Sequence, residues 1–94
     1  MIEIIQHNDD KKGSFEAIAD SKRAGLMTYT WTSDDKLMID HTEVDPAFGG
    51  KGIGKEMVRA AVEFARDRNI RIIPLCAFAK AVFGKNPDFQ DVLV

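Results

Sequence analysis

The sequence predicts an α+β fold with a mixed, mostly antiparallel sheet, and two observations support this prediction. In the first half of the chain, short segments alternate between apolar and polar residues, which is typical of antiparallel strands. In the second half, an amphipathic helical pattern lies between two apolar segments, which indicates an α/β-type β-α-β unit with parallel pairing. Such a unit should cross over in the right-handed sense.

A meander of four strands is predicted in the first half, with the sequences IEIIQ, SFEAIA, LMTYTWT and LMIDHTEV. In the third strand, Met27, Tyr29 and Trp31 share one face and threonines occupy the other, so Tyr29 is expected to pack in the core. The segment HNDDKKG joins the first two strands, and its first residue, His7, is interpreted as part of a turn.

The second half begins with a helix whose apolar residues recur every three or four positions, namely Ile53, Met57, Ala60, Ala61, Phe64 and Ala65. The run IRIIPLC then predicts a strand that is buried on both faces. A second short helix is predicted from Ala77 to about Lys85. We expect this helix to face the core with Phe78, Val82 and Phe83.

Composition limits the class of protein. With 94 residues, 45% of them hydrophobic and 30% charged, residues 1–94 are expected to form one folded domain. Basic residues are scattered and the net charge is -2, which argues against a nucleic-acid partner. No apolar run resembles a signal peptide or a membrane span, and Cys76 is the single cysteine, so we expect a cytoplasmic protein without a membrane partner. No His, Cys and Asp residues have metal-ligand spacing, so no metal is expected.

The most informative segment is HTEVDPAFGGKGIGK, residues 41–55. Its glycines lie between a strand and the start of a helix, where unpaired N–H groups and the helix dipole favour an anion. Glycine lets a phosphate approach the backbone, and Lys51 and Lys55 add positive charge. The segment therefore predicts a phosphate-binding loop, and the alternative is a glycine-rich turn that binds nothing.

Two nucleotide-binding motifs match this segment only in part. Residues 49–55 fit G-x-x-x-x-G-K, but Glu56 follows where a Ser or Thr should contact magnesium, and too little chain remains for the strands of that fold. Gly50 begins a G-x-G-x-x-G pattern, but Lys55 stands at its last position. Both nucleotide interpretations therefore fail on context.

The segment VDPAFGGKGIGKEMV, with its flanking strands and helix, resembles the acetyl-CoA-binding motif of the GNAT superfamily of N-acyltransferases. It is most similar to a subgroup of small members, in which HTEV, GKGIGK, IIPLCAFAK and NPDFQDVL have counterparts in the same order. The resemblance covers residues 36–94 well and the first strands only in outline. It implies a GNAT-like fold, with acetyl-CoA as the acyl donor and an amine as the acceptor.

The resemblance also implies which residues bind the cofactor. The amides of residues 50–54 would hold the coenzyme A pyrophosphate, and the strand with Glu43 and Val44 would pair its backbone with the pantetheine arm. The Val44 N–H would donate to the oxyanion. The complete implied set is Val44, Gly49, Gly50, Lys51, Gly52, Ile53, Gly54, Lys55, Phe78, Ala79 and Phe83.

Two features depart from the family pattern. Gly49 stands where the phosphate loop usually begins with Gln or Arg, which leaves more of the binding to the backbone and Lys51. Typical members insert two lid helices between the first and second strands, whereas here only HNDDKKG joins them. The acceptor site is therefore expected to be open and shallow.

His41, Glu43 and Cys76 are the candidate catalytic residues. His41 and Glu43 lie two residues apart on one strand, so both side chains face one way, about 7 Å apart, and a bridging water could accept the proton of the amine. Cys76 directly precedes a helix, which favours its thiolate, and Pro74 should part the strand from its neighbour. Cys76 could accept the acetyl group or protonate the leaving thiolate. Each residue also has a purely structural interpretation, in the core or at the surface.

Two classes of function remain open. The first is an acetyl-CoA-dependent N-acetyltransferase with an open acceptor site, acting on a protein amine or on a small polyamine-like molecule. The alternative is a non-catalytic acyl-CoA-binding module that uses the same glycine loop. The loop cannot distinguish these classes, whereas His41, Glu43 and Cys76 can.

Overall fold

A computed structural model describes residues 2–94 and confirms the α+β fold with a mixed, mostly antiparallel sheet. The five strands pair in the order of the sequence, and only the last pair is parallel. The strands are β1 (Ile2–Asn8), β2 (Lys12–Ala19), β3 (Lys22–Ser33), β4 (Lys36–Val44) and β5 (Arg71–Pro74). The helices are α1 (Ile53–Arg68) and α2 (Ala77–Lys85), with 3-10 turns at Pro46–Phe48 and Pro87–Val92.

Both helices pack on one face of the sheet, because their buried residues form a single core cluster with alternate residues of the strands. Tyr29 belongs to this core at 1% exposure, as its place in the alternation predicts. The opposite face carries no helix of residues 2–94, and its side chains are half-buried or exposed. We call it the open face. None of the helices in this part of the chain is long and apolar enough to cross a membrane.

Three local expectations are wrong. His7 lies within β1, opposite Ser14, rather than in a turn. The strand predicted for IRIIPLC is shorter, and only one of its faces is buried, because no described helix covers the open face beside Ile73. Phe78 does not turn inward with Phe83, because it lies at the start of α2 beside the glycine loop and is 41% exposed.

A β-bulge in β4 decides which side chains reach each face. Tyr29 pairs with Ile39 and Thr28 pairs with His41, so Asp40 is an extra residue without a cross-strand partner. One extra residue reverses the alternation of every side chain that follows. Leu37 and Ile39 therefore face the helices before the bulge, whereas Thr42 and Val44 face them after it. His41 and Glu43 project from the open face.

Pairing between β4 and β5 ends at the bulge. Ile39 opposite Pro74 is the last paired position, and the N–H groups of Leu75 and Cys76 both donate to the Ile39 carbonyl. Beyond it, residues 40–44 of β4 have no partner strand on this side among residues 2–94. We call this stretch of backbone the open edge of β4.

Candidate functional site

The glycine loop follows directly from the open edge. Asp45 caps the first 3-10 turn, since its Oδ1 accepts the Ala47 N–H at 2.9 Å. Gly50 and Gly52 adopt left-handed φ angles of 78° and 75°. A Cβ atom at either position would meet no atom within 4 Å, so the backbone conformation, and not lack of space, explains these glycines.

The backbone N–H groups of this loop are available to an anion. Helix α1 begins without a side-chain cap, and its first main-chain bond runs from Glu56 to Gly52 at 3.0 Å. Within residues 2–94, no protein group accepts a hydrogen bond from the N–H groups of residues 50–55. Lys51 and Lys55 are both exposed beside them. This arrangement of amides and charge suits a phosphate at the helix N-terminus.

Gly54 has a different structural reason. A Cβ atom there would overlap the aromatic ring of Phe78, which lies across the first turn of α1. Phe78 is thus the side chain of α2 that contacts the loop and keeps exposed surface. Ala79 and Phe83, which the family resemblance implied along the cofactor, are 0% and 2% exposed and belong to the core.

The open edge of β4 presents unpaired backbone groups beside this loop. Asp45 donates its N–H to Ala24 of β3 at 2.8 Å. Because successive N–H groups along a strand point to opposite edges, the N–H of Val44 points away from β3, toward the open edge. The same argument applies to Thr42, two residues earlier.

Cys76 lies where β4 and β5 part. Its Sγ accepts the Ala79 N–H at 3.4 Å and so caps α2, and it lies 3.3 Å from Oγ1 of Thr42. Cys76 is half-buried against the core. Sequence reasoning did not identify Thr42, because the unmodified alternation would turn it toward the open face. The bulge at Asp40 is what brings it to Cys76.

His41 and Glu43 form a separate pair on the open face. Their Nε2 and Oε2 atoms are 3.6 Å apart, and the two side chains are 67% and 64% exposed. The structure therefore brings His41 and Glu43 together, as the spacing predicts. Among residues 2–94, no hydrogen bond joins His41 or Glu43 to Cys76, because Cys76 lies on the helix side of β4.

Tyr29, which the sequence predicts in the core, takes no part in this site. Its hydroxyl donates to Oδ1 of Asn8 at 2.6 Å and accepts from Nε2 of Gln6 at 2.9 Å. Burial raises the pKa of Tyr29. These bonds hold the ring in the core beneath β1 and β2.

Comparisons with known proteins show the family to which the chain belongs. The sequence model of GCN5-related N-acetyltransferases matches residues 14–92. Protein NATD1 of Xenopus tropicalis is 27% identical over 62 residues, which cover 66% of this chain and 57% of that protein. Streptothricin acetyltransferase of Streptomyces lavendulae is 37% identical over 62 residues, 64% of this chain and 33% of that enzyme. The chain thus spans a little over half the length of the first curated relatives that it matches.

Solved structures share the fold. A GCN5-like protein from Staphylococcus aureus superposes with a TM-score of 0.76 at 34% identity, covering 98% of this chain and 87% of that one. An aminoglycoside N-acetyltransferase solved in complex with CoA has a TM-score of 0.66 at 16% identity, covering 88% of each chain, and so shares the fold alone. From the matched residues and this fold, we conclude that the chain belongs to the GCN5-related N-acetyltransferase family.

Proposed function

We propose that this protein is an acetyl-CoA-dependent N-acetyltransferase that acts on an amine at an open acceptor site. One observation carries the proposal. The unpaired N–H groups of residues 50–55 lie at the same end of the sheet as the open edge of β4, one loop away along the chain. A ligand with a pyrophosphate at one end and a chain of amides at the other matches both sets of groups.

In this proposal, the amides of Gly50, Lys51, Gly52, Ile53 and Gly54 hold the pyrophosphate of coenzyme A. Gly49 shapes the start of the loop, and the ammonium groups of Lys51 and Lys55 add to the attraction. The pantetheine amides pair with the open edge of β4, in place of the strand that is missing there. Phe78 lines the other side of this path. Ala79 and Phe83 support it from the core instead of contacting it.

Acetyl transfer forms a bond between the amine nitrogen and the thioester carbon and breaks the bond from that carbon to sulfur. The amine must first lose its ammonium proton, which His41 and Glu43 accept through water on the open face. The Val44 N–H stabilises the oxyanion that develops on the carbonyl oxygen. The departing thiolate then takes a proton, which Cys76, beside Thr42 on the helix side of β4, is proposed to donate.

Cys76 offers a second route with the same products. Its thiolate would attack the thioester, release coenzyme A and carry the acetyl group until the amine displaces it. The contact with Thr42 holds Sγ beside the open edge, where the thioester is proposed to lie. Mass spectrometry of the intact protein after rapid quenching separates the routes, because only the second adds one acetyl group to the protein.

The alternative function is a non-catalytic acyl-CoA-binding module. One observation favours it: only residues 9–11 connect β1 and β2, so no segment between these strands roofs an acceptor. Both functions use the glycine loop, and they differ in what happens after acetyl-CoA binds.

The test begins with a titration of the protein with acetyl-CoA, followed by the amide NMR signals of residues 49–55 and of Cys76. We expect saturable shifts in both places. Loop signals that stay unchanged at millimolar ligand would overturn both functions. Release of free coenzyme A thiol is then measured with a panel of amines, for the protein and for its His41→Ala and Cys76→Ala variants. No turnover with any amine would favour the binding module.

A further inference from the structure

The open face carries a pocket that the proposed chemistry does not yet use. Because β1 and β2 are joined by only three residues, nothing between them covers this part of the sheet. The register places His7, Ser14, Thr28 and His41 in one row across four strands. A depression of about 560 Å³ lies over this row and over the next row on the same face, which contains Lys12 and Thr30. Its lining includes His7, Ser14, Thr28 and Thr30.

The pocket is hollow because of the size of its side chains. Ser14, Thr28 and Thr30 are short and form a floor of hydroxyl groups in the middle of the sheet. Charged or larger side chains stand around them, namely His7 on β1, Lys12 on β2 and Asp40 on β4. The floor therefore offers hydrogen-bond donors and acceptors without filling the space above them.

Asp40 is the member of this pocket that most clearly lacks a partner. Its Oδ2 accepts one hydrogen bond, from Oγ1 of Thr30 at 2.6 Å, and it forms no ion pair among residues 2–94. The carboxylate of Asp9 in the pocket and that of Glu16 beside it are satisfied. Glu16 pairs with Arg23 at 2.6 Å, and Asp9 accepts two N–H groups of its own turn. A half-buried carboxylate bound only to a neutral hydroxyl favours a cation.

The bulge places Asp40 next to the proposed chemistry. Asp40 is the extra residue of the bulge, and His41 follows it on the same face. An amine that reacts at the open edge of β4 and extends over the open face would therefore reach the carboxylate of Asp40. Because the attacking nitrogen loses its charge before it reacts, an ion pair with Asp40 persists through the reaction only if a second group of the same molecule carries the charge.

We propose that this pocket binds the acceptor, and that the acceptor is a small diamine whose non-reacting ammonium pairs with Asp40. This rests on the proposed function above. The hydroxyls of Ser14, Thr28 and Thr30 bind further polar groups of the acceptor. Asp40 acts as a binding residue, and it takes no part in proton transfer.

The test uses 1,4-diaminobutane as the probe, with 4-aminobutan-1-ol and butylamine as analogues of the same length that lack the second charge. Amide NMR signals of Ser14, Thr28, Thr30 and Asp40 report binding without acetyl-CoA. The diamine should bind more tightly than either analogue. Asp40→Asn should weaken its binding about tenfold and remove most of its advantage over the two analogues. Glu3→Gln, which removes an equal charge from β1 outside the pocket, should change neither.

The outcomes separate this inference from the function on which it rests. Loop shifts with acetyl-CoA but no pocket shifts with the diamine would overturn the acceptor pocket and leave the function standing. Pocket shifts without loop shifts would overturn the proposed function and the acceptor role with it, and would leave only a pocket that binds a diamine. Equal binding of Nα-acetyl-lysine amide, which has a single ammonium, would overturn the diamine and favour a protein amine. An equal loss of diamine affinity in Asp40→Asn and Glu3→Gln would show that only the net charge of the protein matters, and would overturn the role of Asp40.

Discussion

The two halves of β4 are continuous along one strand and have opposite roles. Residues 36–39 pair with β3 on one side and β5 on the other, and Leu37 and Ile39 are 0% exposed. After the unpaired Asp40, residues 41–44 pair with β3 only, and the side chains of residues 40–44 are half-buried or exposed. The first half is part of the core, and the second half carries every proposed catalytic group of the strand.

This difference shows that one extra residue and one proline are enough to give the first half of a strand a role in stability and the second half a role in function. The bulge at Asp40 exchanges the two faces, and Pro74 ends the pairing with β5 at the same level. Substitutions in the first half should therefore change the free energy of unfolding. Substitutions in the second half should change binding or turnover in a protein that remains folded.

The largest expected effect is in the first half. Leu37→Ala leaves a cavity in the core and should lower the free energy of unfolding by about 2–5 kcal/mol. His41→Ala, four residues later, should lower it by less than about 0.5 kcal/mol, because that side chain is two-thirds exposed. Urea denaturation followed by tryptophan fluorescence measures both. Similar losses for the two variants would contradict the division of the strand.

The next largest effect is expected in the glycine loop, which follows the second half of β4. Gly52→Ala forces an alanine into a left-handed conformation and should cost about 1 kcal/mol of stability. If the loop binds a pyrophosphate, the affinity for acetyl-CoA should also fall about tenfold or more, which calorimetry measures.

Gly84→Ala provides the matched control for this variant. A Cβ atom at Gly84, inside α2, would meet no atom within 4 Å, so alanine should stabilise the helix by about 0.5–1 kcal/mol and leave affinity unchanged. If both variants bind acetyl-CoA as the unmodified protein does, the loop does not hold the ligand.

The sequence predicts those features of the molecule that depend on residues close together in the chain, and misses those that depend on distant residues. The meander, α1 and the β-α-β unit follow from local periodicity, and Pro74 indicates where β5 parts from its neighbour. The bulge does not, because an extra residue in LMIDHTEV exists only relative to the register with β3. The contact between Thr42 and Cys76 depends on that bulge. The position of Phe78 depends on the space beside Gly54, in another helix.

A smaller effect sharpens the description of the second half. Thr42→Val keeps the shape of the side chain but removes the hydroxyl beside Cys76. Stability should change by less than about 1 kcal/mol. If the hydroxyl donates to the thiolate, alkylation of Cys76 by iodoacetamide should slow severalfold at neutral pH. Thr42→Ser, which retains the hydroxyl, should react at the original rate. Equal rates for all three proteins would show that Thr42 only packs against the sulfur.

The smallest effect lies at the far side of the first half, where the C-terminal residues cover β5. Leu93 bridges to Ile72, and Arg66 of α1 holds this segment through Asp91 at 2.7 Å. The Arg66 guanidinium lowers the pKa of Asp91 below its ordinary value. A carboxyl with a lowered pKa stabilises the fold above its unfolded pKa, and this contribution is lost as the pH falls through the folded value.

Asp91→Asn removes this contribution and should lower stability slightly at pH 7, where the carboxylate is charged in the folded and unfolded states. The difference from the unmodified protein should stay constant down to about pH 5 and shrink below about pH 4. Thermal unfolding from neutral to acid pH measures it, and about 1 M salt should reduce the difference at neutral pH, because the pair is exposed to solvent. A difference that grows toward acid pH would have the wrong sign for this ion pair. The residues that cover β5 would then be held by the Leu93 bridge rather than by charge.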